Sequence, residues 1–212
     1  MMKVYFSPLA CSLASRITLY EIGAEAAFCQ VNGKTKLTES GEDFRRVTGL
    51  GLVPALVTET GEVVTENAAV LQYLARKFPS AKLAPEDAPG TTRLQQWLCF
   101  IGTELHKGIY VALLDPNASA EVKTYAMRHV DARFGWLEAQ LRGRSTLLDR
   151  FSIADAYLFA VLNWSTVTPI ELERWPAIHA YQEGLKTRPS VARAFAEELE
   201  LYRRELLEAK AS

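Results

Sequence analysis

The sequence around Cys11 has the features of a reactive thiol site. An alternating pattern predicts a strand that ends at Pro8, and a helical pattern begins at Cys11 itself. The unpaired N–H groups and the dipole at a helix N-terminus favour the thiolate of a cysteine placed there. The motif Cys11-Ser12-Leu13-Ala14 has alanine where a dithiol site carries its second cysteine, so redox chemistry here needs a second thiol from a small molecule. The alternative is a small buried residue at the start of a helix.

Val53-Pro54 marks a corner in front of a short predicted strand. Proline at the first residue of a strand donates no ladder hydrogen bond, and a Val-Pro bond at such a corner is a candidate cis peptide. A cis bond would turn the N–H and C=O groups of Val53 outward, where a short extended peptide could pair with them as an added strand does. The alternative is an ordinary turn proline.

Glu66 and Asn67 stand where a predicted strand ends and a predicted helix begins. Asn67 suits the N-cap position of that helix. The same N-terminus could hold a substrate carboxylate, and Glu66 could accept a hydrogen bond from a substrate ammonium group. Helix capping alone is the alternative explanation.

A later helical pattern carries a semi-polar stripe with spacings of four, three and four residues: Cys99, Thr103, His106 and Tyr110. The apolar stripe of the same helix lies on the opposite face: Leu94, Leu98, Ile101 and Leu105. We therefore expect His106 to face solvent or a cleft. A lone histidine in such a stripe is structural more often than catalytic.

Other signals in the sequence exclude several classes of site. Ser152 and Asp155 have the spacing of a capping box, which is a structural feature. The sequence has no Cys/His cluster with metal-ligand spacing, no glycine-rich phosphate loop and no Gly-x-Ser-x-Gly motif. We therefore expect no metal cofactor.

The composition and the net charge limit the classes of binding partner and the cellular compartment that we expect for this protein. The 212 residues include 24 basic and 25 acidic side chains, so a nucleic acid is not expected as the main partner. No apolar run approaches the roughly 20 residues that cross a bilayer, and no membrane association is expected. Three widely spaced cysteines favour a reducing cytoplasm over a disulfide scaffold.

Residues 1–78 read as a mixed α/β unit in the order βαβ-ββα. The predicted strands are Lys3–Ser7, Phe28–Val31, Ala55–Thr58 and Val63–Thr65. One helix runs from Cys11 to a closing Gly23, and the other starts at Asn67. The polar segment between Gly33 and Thr48 is predicted as a loop with one helical turn near Asp43–Val47.

The rest of the chain reads as helical. Residues 79–90 contain three prolines and a glycine and are predicted as a linker. Residues 91–212 are predicted as an all-helical domain, with helical patterns over 91–114, 119–142, 153–166, 176–187 and 190–208.

In combination and in this order, the motifs resemble the glutathione transferases, most closely the bacterial beta class. The matching segments are Ser7-Pro8-Leu9-Ala10-Cys11-Ser12-Leu13-Ala14-Ser15, Val53-Pro54-Ala55-Leu56, Thr65-Glu66-Asn67, Thr103-Glu104-Leu105-His106-Lys107-Gly108 and Phe151-Ser152-Ile153-Ala154-Asp155-Ala156-Tyr157-Leu158-Phe159. The resemblance implies a thioredoxin-like N-terminal domain that binds glutathione, a helical C-terminal domain with a hydrophobic substrate pocket, and a homodimer.

The resemblance also implies a role for each matched residue. Val53, next to Pro54, would pair its backbone with the cysteinyl part of glutathione, and Cys11 would sit beside the glutathione sulfur and can form a mixed disulfide with it. The other implied glutathione contacts are Lys36 at the glycine end, Glu66 and Asn67 at the γ-glutamyl end, and Cys99 and Thr103 from the helical domain. His106 would reach the same site from the helical domain and act with Cys11 as a catalytic residue, helping to lower the pKa of the glutathione thiol. The residues implied for the electrophile pocket are Tyr110, Leu113 and Trp164.

Several residues depart from the family pattern. Leu9 stands where glycine is usual, Asn67 where glycine or serine is usual, and Cys99 where asparagine is usual.

The leading hypothesis is an enzyme that conjugates glutathione to hydrophobic electrophiles. The alternatives are a glutathione-dependent thiol reductase, peroxidase or reductive dehalogenase centred on Cys11, and a binding or adaptor protein of the same fold without chemistry.

Overall fold

The computed structural model describes residues 1–211 of the backbone and the side chains of residues 1–208. The chain forms two compact units. The first unit contains Met1–Lys82 together with the described residues from Pro189 onward, and the second contains Leu83–Arg188.

The first unit is built on one four-stranded mixed sheet. Its strands are β1 (Met2–Phe6), β2 (Ala26–Gln30), β3 (Ala55–Val57) and β4 (Val63–Thr65). The spatial order is β2-β1-β3-β4, with β1 parallel to β2 and antiparallel to β3, which in turn pairs antiparallel with β4. Helices α1 (Leu13–Ile22) and α2 (Asn67–Lys77) complete the predicted βαβ-ββα order, and the thioredoxin-like prediction is confirmed.

Side chains from alternate positions of β1 pack on opposite faces of the sheet, as the period of two predicts. One face buries a cluster of apolar residues from the strands and helices: Met2, Val4, Leu19, Leu56, Val70 and Leu74. The other face buries Tyr5 against Phe44, with ring centroids 5.0 Å apart. Phe44 begins a single 3₁₀ turn, Phe44–Arg46, which confirms the helical turn expected in the polar segment.

The last helix differs from the predicted domain organisation. Helix α9 (Pro189–Ala211) falls within the predicted helical domain, yet it packs on α1 in the first unit. The buried Arg16 Nε lies 2.9 Å from Glu198 Oε1 and joins the two helices. An amphipathic pattern shows that a helix has a buried face but not which unit covers it.

The second unit contains helices and no strand among its described residues, as predicted. Its elements are α3 (Ala88–Phe100), a π helix (Ile101–Tyr110), α4 (Val111–Leu114), α5 (Ala120–Met127), α6 (Val130–Leu141), α7 (Ile153–Leu162) and α8 (Pro176–Lys186). Helix α3 begins earlier than expected, because Asp87 accepts from the Gly90 N–H and caps it inside the predicted linker. The predicted helix over 119–142 is divided into α5 and α6.

The centre of the second unit is α7, which is buried along its whole length. The predicted capping box is present, because the Ser152 N–H donates to Asp155 Oδ2 at 2.8 Å. Asp155 also accepts hydrogen bonds from the Leu147 N–H and the Tyr181 hydroxyl, both at 2.8 Å. In the portion of the chain that the structure describes, no helix is long and apolar enough to cross a membrane.

Candidate active site

Cys11 lies in the turn between β1 and α1 and is 8% exposed. The regular helix begins at Leu13, two residues later than predicted, because the Leu13 N–H donates to Ala10 O at 3.0 Å in a tight turn that precedes it. Cys11 Sγ lies 3.5 Å from Val53 O. The thiol is therefore next to the corner at which the sequence predicts a peptide-binding backbone.

The Val53-Pro54 peptide bond is cis, which confirms that prediction. Val53 lies just before β3 and is half-buried. Its carbonyl faces Cys11, and among the described residues its N–H has no hydrogen-bond partner. The corner therefore offers a backbone donor and a backbone acceptor beside a thiol.

Glu66 and Asn67 lie at the start of α2, but their roles differ from the prediction. Glu66 occupies the N-cap position with a φ of 65°, and Asn67 is the first helical residue. Asn67 is 6% exposed, and neither Nδ2 nor Oδ1 of its side chain has a partner within the described residues. A buried polar group without a partner costs about 1–3 kcal/mol, and such groups are rare unless a ligand or a water satisfies them.

Lys36 lies in the loop between β2 and the Phe44–Arg46 turn. Its φ is 64°, and its carbonyl accepts from the Phe44 N–H at 2.9 Å. A Cβ added at Gly51 would lie 3.6 Å from Lys36 Cδ, so the lysine stem passes close to the segment that leads to Val53. Left-handed conformations at Leu9, Lys36 and Glu66 are unusual for side-chain-bearing residues and tend to cluster at functional sites.

His106 lies in the second unit, on the π helix, and is 9% exposed. Its Nδ1 is 2.8 Å from the Tyr157 hydroxyl, and its ring packs on Trp164 with centroids 4.9 Å apart. Burial, together with the nearby charge of Lys107, lowers the pKa of His106 from 6.5 to about 4. The imidazole is therefore neutral near pH 7, and it can act as a hydrogen-bond donor but not as a cation.

The prediction that four residues share a semi-polar face is only partly right. Cys99 and Thr103 are exposed, and the Thr103 hydroxyl donates to Cys99 O at 2.9 Å. Tyr110 is wholly buried, its hydroxyl is 2.6 Å from Ser165 Oγ, and burial raises its pKa. The cause is the π helix, whose i→i+5 hydrogen bonds widen the turn so that steps of three and four no longer return to one face.

The three residues implied for the electrophile pocket differ in how deeply they are buried. Tyr110 and Trp164 are both buried and pack together, with ring centroids 5.6 Å apart, whereas Leu113 is half-buried. The hydroxyl contact to Ser165 encloses Tyr110 in the interior of the second unit, so it does not line an open pocket.

Two residues with important contacts were not singled out from the sequence. Tyr157 sits in an otherwise apolar run, and a buried tyrosine needs a partner for its hydroxyl. Glu198 follows Val191 and Ala194 at spacings of seven and four, which places a carboxylate on the apolar face of α9. Either feature is a usable signal for a buried polar contact. Among the described side chains, no three His, Cys, Asp or Glu residues gather as metal ligands do.

Comparison with known proteins shows which protein family this chain is similar to. Models for the N-terminal and C-terminal domains of glutathione S-transferase match residues 10–77 and 100–189. The chain is 36% identical over 199 residues to the glutathione S-transferase GstA of Escherichia coli O157:H7, with 93% of this chain and 98% of that protein covered. It is also similar to a solved sphingomonad glutathione S-transferase complexed with glutathione, at 39% identity and a TM-score of 0.88, covering 92% of this chain and 98% of that one. The solved bacterial beta class enzyme of Sphingomonas chungbukensis gives the same values.

Proposed function

Because this chain belongs to the glutathione transferase family and is an enzyme of that family, we propose that it joins the sulfur of glutathione to hydrophobic electrophiles. The observation that carries the proposal is the pair of unpartnered groups in the first unit, the Val53 N–H and the buried Asn67 amide. Both lie where the family motifs bind glutathione. A bound tripeptide would satisfy groups that the protein alone leaves without partners.

We assign each end of glutathione by its chemistry. The Val53 backbone pairs with the cysteinyl residue, as an added strand does. Glu66 accepts from the γ-glutamyl ammonium, and the Asn67 amide together with the N-terminus of α2 receives the γ-glutamyl carboxylate. The ammonium of Lys36 attracts the glycine carboxylate. The roles that the resemblance implies for Cys99, Thr103 and His106 stay predictions.

The proposed reaction is nucleophilic attack by a thiolate. The glutathione thiol loses its proton to solvent, and each unit by which its pKa is lowered favours the thiolate by about 1.4 kcal/mol. The sulfur then forms a bond to an electrophilic carbon, and the leaving group departs with its electron pair. Leu113 and Trp164 remain our proposal for the apolar pocket, which contributes proximity and desolvation. Tyr110 is left out because it is fully enclosed.

A second activity is favoured by the position of the Cys11 thiol, 3.5 Å from the backbone that pairs with the cysteinyl residue of glutathione. In thiol transfer, the Cys11 thiolate attacks glutathione disulfide, forms a mixed disulfide and releases one glutathione thiolate. A substrate thiolate then attacks the glutathione sulfur of this mixed disulfide, forms a substrate–glutathione disulfide and releases the Cys11 thiolate. The step needs no oxidant beyond the glutathione disulfide itself.

The homodimer and the cytoplasmic location are also part of the proposal. In the second unit, Trp136 is 39% exposed and packs on Phe100, with ring centroids 4.5 Å apart, and on Trp97. Exposed aromatic clusters are enriched at protein interfaces, so this cluster supports a second copy as its partner. Light scattering at micromolar concentration is expected to give about twice the 23.6 kDa chain mass, and a monomer mass would contradict the dimer.

The test of the proposed function compares two cysteine variants. Cys11→Ala is expected to keep conjugation of glutathione to an aryl halide and to lose thiol transfer from glutathione disulfide. Cys29→Ala, which removes a half-buried thiol on β2, is the control and should keep both activities. Glutathione at 100 times its Kd should stabilise the wild type by about 2.7 kcal/mol. No stabilisation by glutathione and no conjugation would support the adaptor alternative.

A further inference from the structure

We propose that Glu198, on the C-terminal helix α9, is a positioning residue that holds the turn carrying Cys11 in place through the backbone of Leu9. The Leu9 N–H donates to Glu198 Oε2 at 2.8 Å, although the two residues are 189 positions apart in the chain. This inference deepens the proposed function, because it concerns the thiol beside the proposed glutathione site.

Leu9 adopts a conformation that calls for external support. Its φ of 58° lies in the left-handed region, which is unfavourable by about 1–2 kcal/mol for a residue with a side chain. Two residues later comes Cys11, and the intervening Ala10 is fixed by its N–H bond to Ser7 O at 3.1 Å. A change in the backbone of Leu9 is therefore transmitted directly to the Cys11 thiol.

The Glu198 carboxylate is itself rigidly held. Glu198 is 0% exposed, and its other oxygen, Oε1, accepts from Arg16 Nε at 2.9 Å. The Arg16 guanidinium packs on two aromatic rings, 4.4 Å from the centroid of Phe6 and 3.9 Å from that of Phe28. A hydrogen bond between a buried carboxylate and a backbone N–H is among the stronger ones in proteins.

The neighbours of Glu198 allow a matched control. The adjacent Glu197 also contacts Arg16, at 3.2 Å, and accepts from the Tyr20 hydroxyl and from Arg193. Among the described residues, Glu197 makes its polar contacts with these side chains, so replacing it changes the charge near Arg16 without touching the Leu9 backbone. A comparison of variants at Glu198 and Glu197 therefore separates the effect of the hydrogen bond to Leu9, which we call the Leu9 anchor, from the effect of negative charge near Arg16.

The charge state of Glu198 gives a second readout. Burial raises the pKa of Glu198 to about 7, against the opposing effects of Arg16 and the Leu9 N–H, while the charge of Glu197 adds to the increase. The ionised carboxylate, which is the better acceptor, predominates above pH 7. On acidification below pH 7 the Leu9 hydrogen bond weakens, so the amide of Leu9 should report this titration.

The experiment measures Cys11 alkylation by iodoacetamide without glutathione, with the modified residue identified by peptide mass spectrometry. In Glu198→Gln the amide nitrogen faces a donor, either Leu9 or Arg16, so the turn loosens and the buried thiol becomes accessible. We expect alkylation of Cys11 to be at least 5-fold faster in Glu198→Gln and within 2-fold of wild type in Glu197→Gln. Equal rates for the two variants would overturn the proposal.

A measurement on the wild-type protein covers the case in which Glu198→Gln does not fold. The ¹⁵N and ¹H shifts of the Leu9 amide are followed from pH 5.5 to 8.5, and we expect a titration with a midpoint near 7. Chemical shifts of the Leu9 amide that do not change over this pH range would contradict the proposed hydrogen bond between Glu198 and Leu9. Because both experiments omit glutathione, they stand even if the proposed activity fails, and a higher KM for glutathione in Glu198→Gln then connects the anchor to function.

Discussion

Two regions of this molecule differ in whether their buried polar groups have hydrogen-bond partners. The Cys11 region, which comprises Cys11, the Val53-Pro54 corner and the Glu66-Asn67 pair, leaves the Val53 N–H and the Asn67 amide without partners among the described residues. The His106 region, which comprises the π helix and the side chains on α7 and the following turn that pack on it, pairs its buried polar groups with each other. His106 contacts Tyr157, and Tyr110 contacts Ser165.

We infer from this difference that the Cys11 region serves ligand binding and that the His106 region stabilises the fold. Groups without partners stabilise nothing until a ligand arrives, so substitutions in the Cys11 region should change ligand affinity more than stability. Satisfied groups in a packed interior stabilise the fold, so substitutions in the His106 region should lower the free energy of unfolding. The predictions below test this contrast, in order of decreasing effect.

The largest effect is expected at Asp155, on the helix that carries Tyr157. Asp155→Ala leaves four donors without their acceptor: the N–H groups of Leu147 and Ser152, and the hydroxyls of Ser152 and Tyr181. The free energy of unfolding in urea should fall by about 3–5 kcal/mol. Asp131→Ala, which removes an exposed partner of Arg174, is the control and should change it by less than about 0.5 kcal/mol. A loss below 1 kcal/mol in Asp155→Ala would count against a satisfied interior.

The next effect is the acid sensitivity that His106 confers. Its folded-state pKa of about 4 lies below the ordinary 6.5, so the unfolded chain binds more protons than the folded protein between these values. Stability conferred by the neutral imidazole is complete above pH 6.5 and is lost as the pH falls towards 4, with a total of about 3 kcal/mol. His106→Asn should lack this part of the pH dependence, and His129→Asn should keep it. Identical acid profiles for wild type and His106→Asn would refute the assignment.

Asn67 tests the other side of the comparison. Asn67→Ala removes two unpartnered buried atoms from the first turn of α2, so the free energy of unfolding should stay the same or rise by up to about 1 kcal/mol. The Kd for glutathione should rise about 10-fold or more, because a hydrogen bond to a charged group is lost. Calorimetric titration and urea unfolding measure the two effects. A stability loss with unchanged affinity would reverse the roles of the two regions.

The smallest effect is expected at Tyr157. Tyr157→Phe deletes the hydroxyl 2.8 Å from His106 Nδ1 and should lower the free energy of unfolding by about 1 kcal/mol. We predict that in the wild type the hydroxyl donates to Nδ1 and that the neutral ring carries its proton on Nε2. ¹⁵N NMR of the imidazole should show that tautomer in the wild type and a mixture in Tyr157→Phe. The same tautomer population in both proteins would show that the tyrosine does not orient the ring.

Local patterns in the sequence were sufficient to predict the strands and the first two helices of the first unit. The alternation in β1, the turn residues before β4 and the helical spacing of α2 each depend on neighbouring residues, and the structure follows them. The Val53-Pro54 cis bond could be identified as a candidate, because the preference for a trans bond before proline is small, but the local sequence also allowed an ordinary turn proline.

Features that depend on long-range packing were not predictable in the same way. The π helix changes which side chains share a face, and the spacing rule for an α helix placed Tyr110 wrongly. The contact between Leu9 and Glu198 joins residues 189 positions apart, and no local pattern records it. The unpartnered state of Asn67 is likewise a property of the folded unit and not of its sequence neighbours.

The central claim is that the corner at Val53 receives glutathione through its backbone. Titration of glutathione into ¹⁵N-labelled protein, with Cys11→Ala used to prevent disulfide formation, tests it directly. We predict a downfield shift of the Val53 amide proton, slower hydrogen exchange at that amide and a shift of the Asn67 side-chain amide. Saturable binding with all three signals unchanged would contradict the account.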